Sequence, residues 1–91
     1  IQETVVDRFG ISLQELTGDR RSQSIVYPRQ VAMYLCRELT DSSLPKIGKK
    51  FGGRDHTTVI HATSKIARLI QEDRSVYNLV QELTARIKQP R

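Results

Sequence analysis

Apolar residues recur every three or four positions throughout the chain, and no stretch alternates apolar and polar residues long enough to form a strand. Such spacing collects the apolar side chains of each segment on one face of a helix. Because 91 residues are enough for one small core, the sequence predicts a single all-α domain over residues 1–91, a compact bundle of helices. The chain begins with Ile1 inside an amphipathic pattern, so we expect this domain to be a piece of a longer protein.

Glycines and a capping pair delimit the first two helices. An apolar stripe at steps of four stops at Gly10, which is typical of a glycine that caps a helix C-terminus. Ser12 and Glu15 form a capping box for a second, short helix, which buries Leu13 and Leu16 before the next glycine ends it.

Residues 19–27 lack apolar periodicity, which predicts an exposed basic loop before the third helix. Pro28 is expected at the first position of that helix, where its missing N–H costs no hydrogen bond. The helix then presents Arg29, Arg37 and Glu38 to solvent. Its apolar stripe consists of Val31, Ala32, Leu35, Cys36 and Leu39.

Three further helices are expected in the second half of the chain. Ser43 caps the fourth helix, and the pair Gly52 and Gly53 ends it. Asp55 is the expected N-cap of a longer fifth helix, and a sixth helix runs almost to Pro90. The apolar face of the fifth helix comprises Val59, Ala62, Ile66 and Leu69.

The positive charge is concentrated in the middle of the chain. The formal net charge is +5, but residues 20–68 alone carry ten basic and three acidic side chains, a net charge of +7. The flanking segments together are slightly acidic. A polyanion such as nucleic acid would suit this segment, and a solvated surface without a partner remains the alternative.

The fourth and fifth helices form the most informative pair. A short helix, a glycine turn and a longer helix have the shape of a helix-turn-helix. Thr57, His61, Lys65 and Arg68 share one sector of the second helix, away from its apolar face. Threonine, histidine and aspartate side chains can contact base edges, and lysine and arginine suit phosphates. Asp55 can serve as an N-cap with or without touching a base.

Catalysis, metal binding and membrane insertion find no support in the sequence. His56 and His61 are five residues apart and point away from each other on a helix, and no third ligand stands nearby. No phosphate-binding loop and no paired nucleophile and base are present. A lone Cys36 fits a small buried residue in a reduced, cytoplasmic protein, and no apolar run is long enough to span a membrane. We therefore expect a domain that is not an enzyme and holds no metal or cofactor.

Three segments together carry a family resemblance. Residues 52–62 read GGRDHTTVIHA, residues 43–48 read SLPKIG and residues 28–35 read PRQVAMYL. They closely resemble the C-terminal DNA-binding domain of the DnaA family of bacterial chromosomal replication initiators. The resemblance implies a six-helix domain with a helix-turn-helix like that of the Trp repressor. It further implies initiation and regulation of DNA replication by binding duplex DNA boxes similar to TTATCCACA at the origin.

The same resemblance implies roles for individual residues. Asp55, His56, Thr57 and Thr58 would contact bases in the major groove, and Arg21 would enter the adjacent minor groove. The DNA backbone or groove edges would be held by Arg20, Arg29, Gln30, Arg37, Pro45, His61 and Lys65. The family commonly has a further arginine where this chain has Gln23, which would weaken or reshape the minor-groove contact.

The resemblance also sets expectations for the whole protein. ATP would bind only to a separate motor domain, so this domain would need no cofactor. The isolated domain would be monomeric and nucleoid-associated, and the full-length protein would assemble on the origin.

Two other functions remain open. One is a dimeric transcription regulator that reads palindromic operators with the same two helices. The other is a protein-interaction module that uses the last helix, where we expect Tyr77 and Val80 to lie off the main apolar stripe.

Overall fold

Six helices form where apolar periodicity and capping residues coincide, and this confirms the all-α prediction. The computed structural model describes residues 1–89, so the predicted end of the last helix at Pro90 lies outside the described residues. The helices are α1 (Gln2–Phe9), α2 (Leu13–Thr17), α3 (Gln23–Leu39), α4 (Leu44–Lys50), α5 (His56–Glu72) and α6 (Arg74–Lys88). No helix within this range is long and apolar enough to cross a membrane.

The two 17-residue helices, α3 and α5, form the centre of the bundle. They pack against each other, with α1 and α2 on α3 and with α4 and α6 on α5. The largest fully buried side chains come from all six helices and from the turn after α4; they include Phe51, Leu16, Met33, Leu35, Ile47, Ile66, Leu83 and Val5. Burying these side chains is the main stabilising contribution to the fold.

The helix ends follow the predicted capping chemistry. Ser12 accepts a hydrogen bond from the backbone of Glu15, whose side chain accepts one from the backbone of Ser12, so the capping box is confirmed. Ser43 caps α4 and Asp55 caps α5. Gly10 adopts a left-handed conformation with φ of 67° at the end of α1.

The start of α3 differs from the prediction. The helix begins at Gln23, so the exposed loop is limited to residues 19–22 and Pro28 lies inside the helix. Ile25, three residues before Pro28, is buried in the core. A helix that starts at Gln23 places Ile25 on the buried face of α3, so the burial of Ile25 favours this early start. Pro28 lacks an N–H that would bond the carbonyl of Ser24, but Ser24 is exposed to water, which can replace that bond.

The exposure of two hydrophobic side chains is the reverse of the prediction. Leu13 is 47% exposed, because a helix of five residues brings only Leu16 into the core. Val80 is buried, since it lies four residues after Val76 and three before Leu83 and so belongs to the core face of α6. Tyr77 is 40% exposed, as predicted.

The turn between α4 and α5 sets the helix-turn-helix geometry. The carbonyl of Gly48 accepts hydrogen bonds from the backbone amides of Phe51 (3.1 Å) and Arg54 (2.9 Å). Gly52 and Gly53 have φ of 83° and 77°, a region that favours glycine. The chain therefore reverses tightly and α5 begins directly beside the end of α4.

Candidate nucleic-acid interface

The first turn of α5 presents a continuous polar surface. Asp55, His56, Thr57 and Thr58 are all exposed. The Oδ1 atom of Asp55 accepts a hydrogen bond from the backbone of Thr57 (3.4 Å) and lies 3.0 Å from Nδ1 of His56. Asp55 thus caps the helix while its carboxylate stays largely in solvent, so its capping role and a contact with a base are compatible.

The face of α5 that points away from the core continues this surface. His61 and Arg68 are exposed and Lys65 is half-buried, whereas Val59, Ala62 and Ile66 are buried on the opposite face. Arg68 lies 3.8 Å from Glu72 one turn later, an exposed pair that contributes little stability. One face of α5 therefore packs into the bundle, and the other is free to enter a groove.

A cleft of about 660 Å³ connects the loop before α3 to this first turn. Arg21 lies on the loop side of the cleft, Thr58 lies on the α5 side, and Arg29 and Arg54 also line it. Two of the predicted base-contacting residues, Arg21 and Thr58, thus share one surface although they are far apart in sequence. The cleft is strongly positive, since Asp19 is the one acidic residue among those lining it.

Arg29 does not point outward, so that prediction is wrong. The residue is 5% exposed, and its guanidinium donates to the backbone carbonyls of Leu16 (2.8 Å), Arg20 (3.0 Å) and Glu15 (3.0 Å). Burial lowers the pKa of Arg29, and the nearby positive charge of Arg54 lowers it further while Asp19 opposes the change. Arginine is normally exposed to solvent, but hydrogen bonds to three carbonyls make the burial of Arg29 possible.

The other predicted backbone contacts are distributed outside the cleft. Arg20 pairs with Glu15 at 3.1 Å, and Arg37 donates to the carbonyl of Ser42 at 3.3 Å. Pro45 lies exposed in the first turn of α4. Gln30 is half-buried, and its side-chain oxygen has no hydrogen-bond partner among the described residues.

Arg54 is a residue of this surface that the sequence prediction missed. Its guanidinium donates to the carbonyls of Thr17, Phe51 and Gly18, so it ties the turn before α5 to the end of α2. The sequence does contain a signal: α2 has no basic residue in its last turn, so its free carbonyls need donors from elsewhere in the chain.

The described residues hold no evident metal or nucleophilic site. Within residues 1–89 no group of three or more His, Cys, Asp or Glu side chains could hold a metal ion. Cys36 is buried, as predicted, and burial raises the pKa of its thiol, which keeps it in the unreactive protonated form.

The short α4, the glycine turn and the exposed first turn of α5 define the class of protein. The chain is a helix-turn-helix domain of the DNA-binding class, and its helix α5 occupies the position of the recognition helix.

Comparison with known proteins then identifies the family. The family model of the bacterial dnaA protein helix-turn-helix matches residues 1–66, and the chain belongs to this family. This is a family of DNA-binding domains and not of enzymes, in agreement with the sequence prediction.

Curated relatives agree with the family model along nearly the whole chain. The chain is 55% identical over 89 residues to the chromosomal replication initiator protein DnaA of Oenococcus oeni, covering 98% of this chain and 20% of that protein. It is 60% identical over 89 residues to the protein of the same name from Cutibacterium acnes, covering 98% and 18%. For Symbiobacterium thermophilum the identity is 54% over 88 residues, covering 97% and 19%. The chain thus spans about a fifth of the length of these relatives.

Proposed function

We propose that this domain binds duplex DNA sequence-specifically, at boxes similar to TTATCCACA in a bacterial replication origin. Helix α5 enters the major groove with its first turn, and Arg21 enters the adjacent minor groove. The observation that carries this proposal is the shared cleft, which brings Arg21 and Thr58 to one positive surface.

The chemistry of the first turn of α5 suits base recognition. The major groove offers a distinct set of donors, acceptors and methyl groups for each base pair. Asp55 can accept from a cytosine amino group, the imidazole of His56 can bond a base edge, and the methyl groups of Thr57 and Thr58 fit the methyl group of thymine. All four side chains are exposed, so none must be released from the protein before it contacts DNA.

The cleft fits the geometry of two neighbouring grooves. A sugar-phosphate strand separates a major groove from the next minor groove. If α5 and Arg21 occupy these two grooves, that strand crosses the cleft between them. The net positive charge of the cleft then lies close to phosphates, where it is favourable.

Phosphate contacts and base contacts would contribute differently to binding. Lys65, Arg37 and the basic loop would neutralise phosphates and release counterions, which makes affinity depend strongly on salt. Residues 55–58 would add the discrimination between sequences. Such a division gives fast, weak binding to any duplex and tighter binding to the box.

The proposal extends to the longer protein of which this domain forms a part. The relatives are replication initiators about five times the length of this chain. We propose that this domain delivers the protein to the origin as a monomeric module, that nucleotide binding belongs to another domain, and that several copies assemble there.

Methylation interference tests the two-groove arrangement. Dimethyl sulfate modifies guanine N7 in the major groove and adenine N3 in the minor groove. The proposal predicts that interfering guanines and interfering adenines form two adjacent clusters, and that Arg21→Ala removes only the adenine cluster. Interference confined to one groove would contradict the arrangement.

The alternative function, protein docking on α6, needs Tyr77 and Val80 to be exposed, and only Tyr77 is. Val80 is buried in the core, which leaves Tyr77 beside Arg74, whose guanidinium carbon lies 5.6 Å from the ring centroid. A single exposed aromatic residue paired with an arginine is too small a surface to favour this function.

A further inference from the structure

Two arginines from different parts of the chain hold the segment that leads into the basic loop. Arg29 of α3 donates to the carbonyls of Glu15, Leu16 and Arg20. Arg54, in the turn before α5, donates to the carbonyls of Thr17 and Gly18. Five of the six carbonyls in residues 15–20 therefore bond to two guanidinium groups.

The need for these donors follows from the end of α2. The last carbonyls of a helix have no partner within it, and α2 ends without a basic residue in its last turn. Two guanidinium groups supply the missing donors and place positive charge at the helix C-terminus, where it is favourable. A lysine could not replace either arginine fully, because an ammonium group lacks the planar fork that reaches several carbonyls at once.

Close backbone packing reinforces the bonds of Arg54. Gly52, in the turn after α4, lies so close to Thr17 that a Cβ atom at this position would overlap the Thr17 carbonyl oxygen. The guanidinium of Arg54 bonds the carbonyl of Phe51 as well as those of α2. The turn that starts α5 and the segment that starts the basic loop are thus joined directly.

We propose that Arg54, together with Arg29, is a positioning residue for DNA recognition: it fixes the loop that carries Arg21 at a set distance from the first turn of α5. This deepens, and depends on, the two-groove binding proposed above. A loop held in place before binding loses little conformational freedom when it enters the minor groove, which favours affinity. The guanidinium of Arg54 therefore acts through Arg21, and base recognition by Thr57 is independent of this side chain.

The substitution Arg54→Lys tests this role because it keeps the charge and removes the fork. Two ratios of dissociation constants are measured. The first ratio compares a box with a G·C end to a box with an A·T end, and it reports on Arg21. The second ratio compares a box altered at the major-groove bases to the unaltered box, and it reports on Thr57. Replacing a recognised base pair typically changes affinity about tenfold. We expect Arg54→Lys to reduce the first ratio to the value for Arg21→Ala and to change the second by less than about twofold.

A double mutant and a control complete the experiment. Arg54→Lys in an Arg21→Ala background should leave the first ratio unchanged. The control is Arg86→Lys, which weakens another arginine tie between helices, the 2.7 Å pair of Arg86 with Asp7, and should leave both ratios at wild-type values. A folded Arg54→Lys variant with a wild-type first ratio, or an equal fall in both ratios, would overturn the positioning role.

The wild-type domain itself provides a second test that needs no variant. Backbone amide order parameters of residues 20–22 in the free domain should be about 0.85, the value of rigid backbone. Values below about 0.6 would show a loop that is not held and would overturn the proposal even if Arg54→Lys does not fold. A wild-type domain with no preference for the box would instead remove the proposed function, so the two failures are distinguishable.

Discussion

The backbone amide of Arg54 donates a 2.9 Å hydrogen bond to the carbonyl oxygen of Gly48. The contact is so close that a Cβ atom on Gly48 would overlap the carbonyl oxygen of Arg54. This relationship fixes the start of α5 against the interior of α4, and the presentation of Thr57 and Thr58 depends on it.

The first prediction concerns this close approach. Alanine normally stabilises a helix relative to glycine by about 1 kcal/mol. Gly48→Ala should do the opposite and lower the free energy of unfolding by about 3 kcal/mol, because its methyl group has no space. Urea unfolding measures the change.

Gly53→Ala is the matched control for that substitution. Gly53 has a positive φ of 77° but no heavy atom within 4 Å of a Cβ, so backbone strain of about 1–2 kcal/mol is the only expected cost. A stabilised Gly48→Ala variant would show that the close approach is unimportant.

Thr57→Ala should selectively weaken the cognate box. Losing a base contact costs on the order of 1–3 kcal/mol, and affinity for a scrambled duplex should stay the same. Thr63→Ala is the control, since the Thr63 hydroxyl donates to the Ile60 carbonyl on the same helix, beyond its first turn. Equal losses on both duplexes for Thr57→Ala would remove Thr57 from base recognition.

Lys65→Ala should weaken binding to all duplexes alike. Losing one phosphate contact should reduce the slope of log affinity against log salt by about one unit. Lys88→Ala, at the far end of α6, should leave the slope unchanged. A loss restricted to the cognate box would assign Lys65 to base recognition instead.

Arg21→Ala should cost most when the adjacent end of the box is rich in A·T pairs, because the narrow A·T minor groove attracts arginine most strongly. Replacing that end with G·C pairs should reduce the difference between wild type and variant. The comparison variant is Arg20→Ala, whose side chain pairs with Glu15; it should lower affinity without changing this dependence. If Arg21→Ala shows no dependence on the A·T end, Arg21 is a phosphate contact.

The cap of α6 predicts a pH dependence. The hydroxyl and the backbone amide of Ser75 donate to Oδ1 of Asp73 at 2.7 Å and 2.9 Å, and these bonds lower the pKa of Asp73 below its usual 3.8. Because the pKa of Asp73 is lower in the folded state than in the unfolded state, ionised Asp73 stabilises the fold fully at pH values above the unfolded pKa. This stabilisation is lost as the pH falls from the unfolded pKa through the folded pKa.

Ser75→Ala removes the hydroxyl donor, so the Asp73 pKa should rise toward 3.8 in an NMR titration. Ser42→Ala is a suitable control on another loop. An unchanged titration of Asp73 in Ser75→Ala would mean that these hydrogen bonds do not lower its pKa.

Local chemistry predicts much of the fold. The helix caps at Ser12, Ser43 and Asp55 depend on side chains that bond amides two or three residues away, so their sequence pattern is sufficient. The same holds for the helix-turn-helix, where paired glycines and helical periodicity indicate the short turn.

The sequence does not predict correctly the side-chain contacts and helix ends that depend on residues far away in the chain. The burial of Arg29 requires three carbonyls of a segment 9–14 residues earlier, and the start of α3 depends on the buried Ile25. Arg54 contacts carbonyls 36 and 37 residues away. No pattern within one helix reports such contacts, so the cleft and its supporting arginines emerge only from the folded chain.

The most direct test of the central claim is a titration of this domain against a TTATCCACA-type duplex and a scrambled duplex of equal length, each at 50 and 200 mM salt. Specific recognition predicts binding to the box at least about a thousandfold tighter than to the scrambled duplex, with both affinities falling as salt rises. Equal affinities for the two duplexes at both salt concentrations would contradict sequence-specific binding.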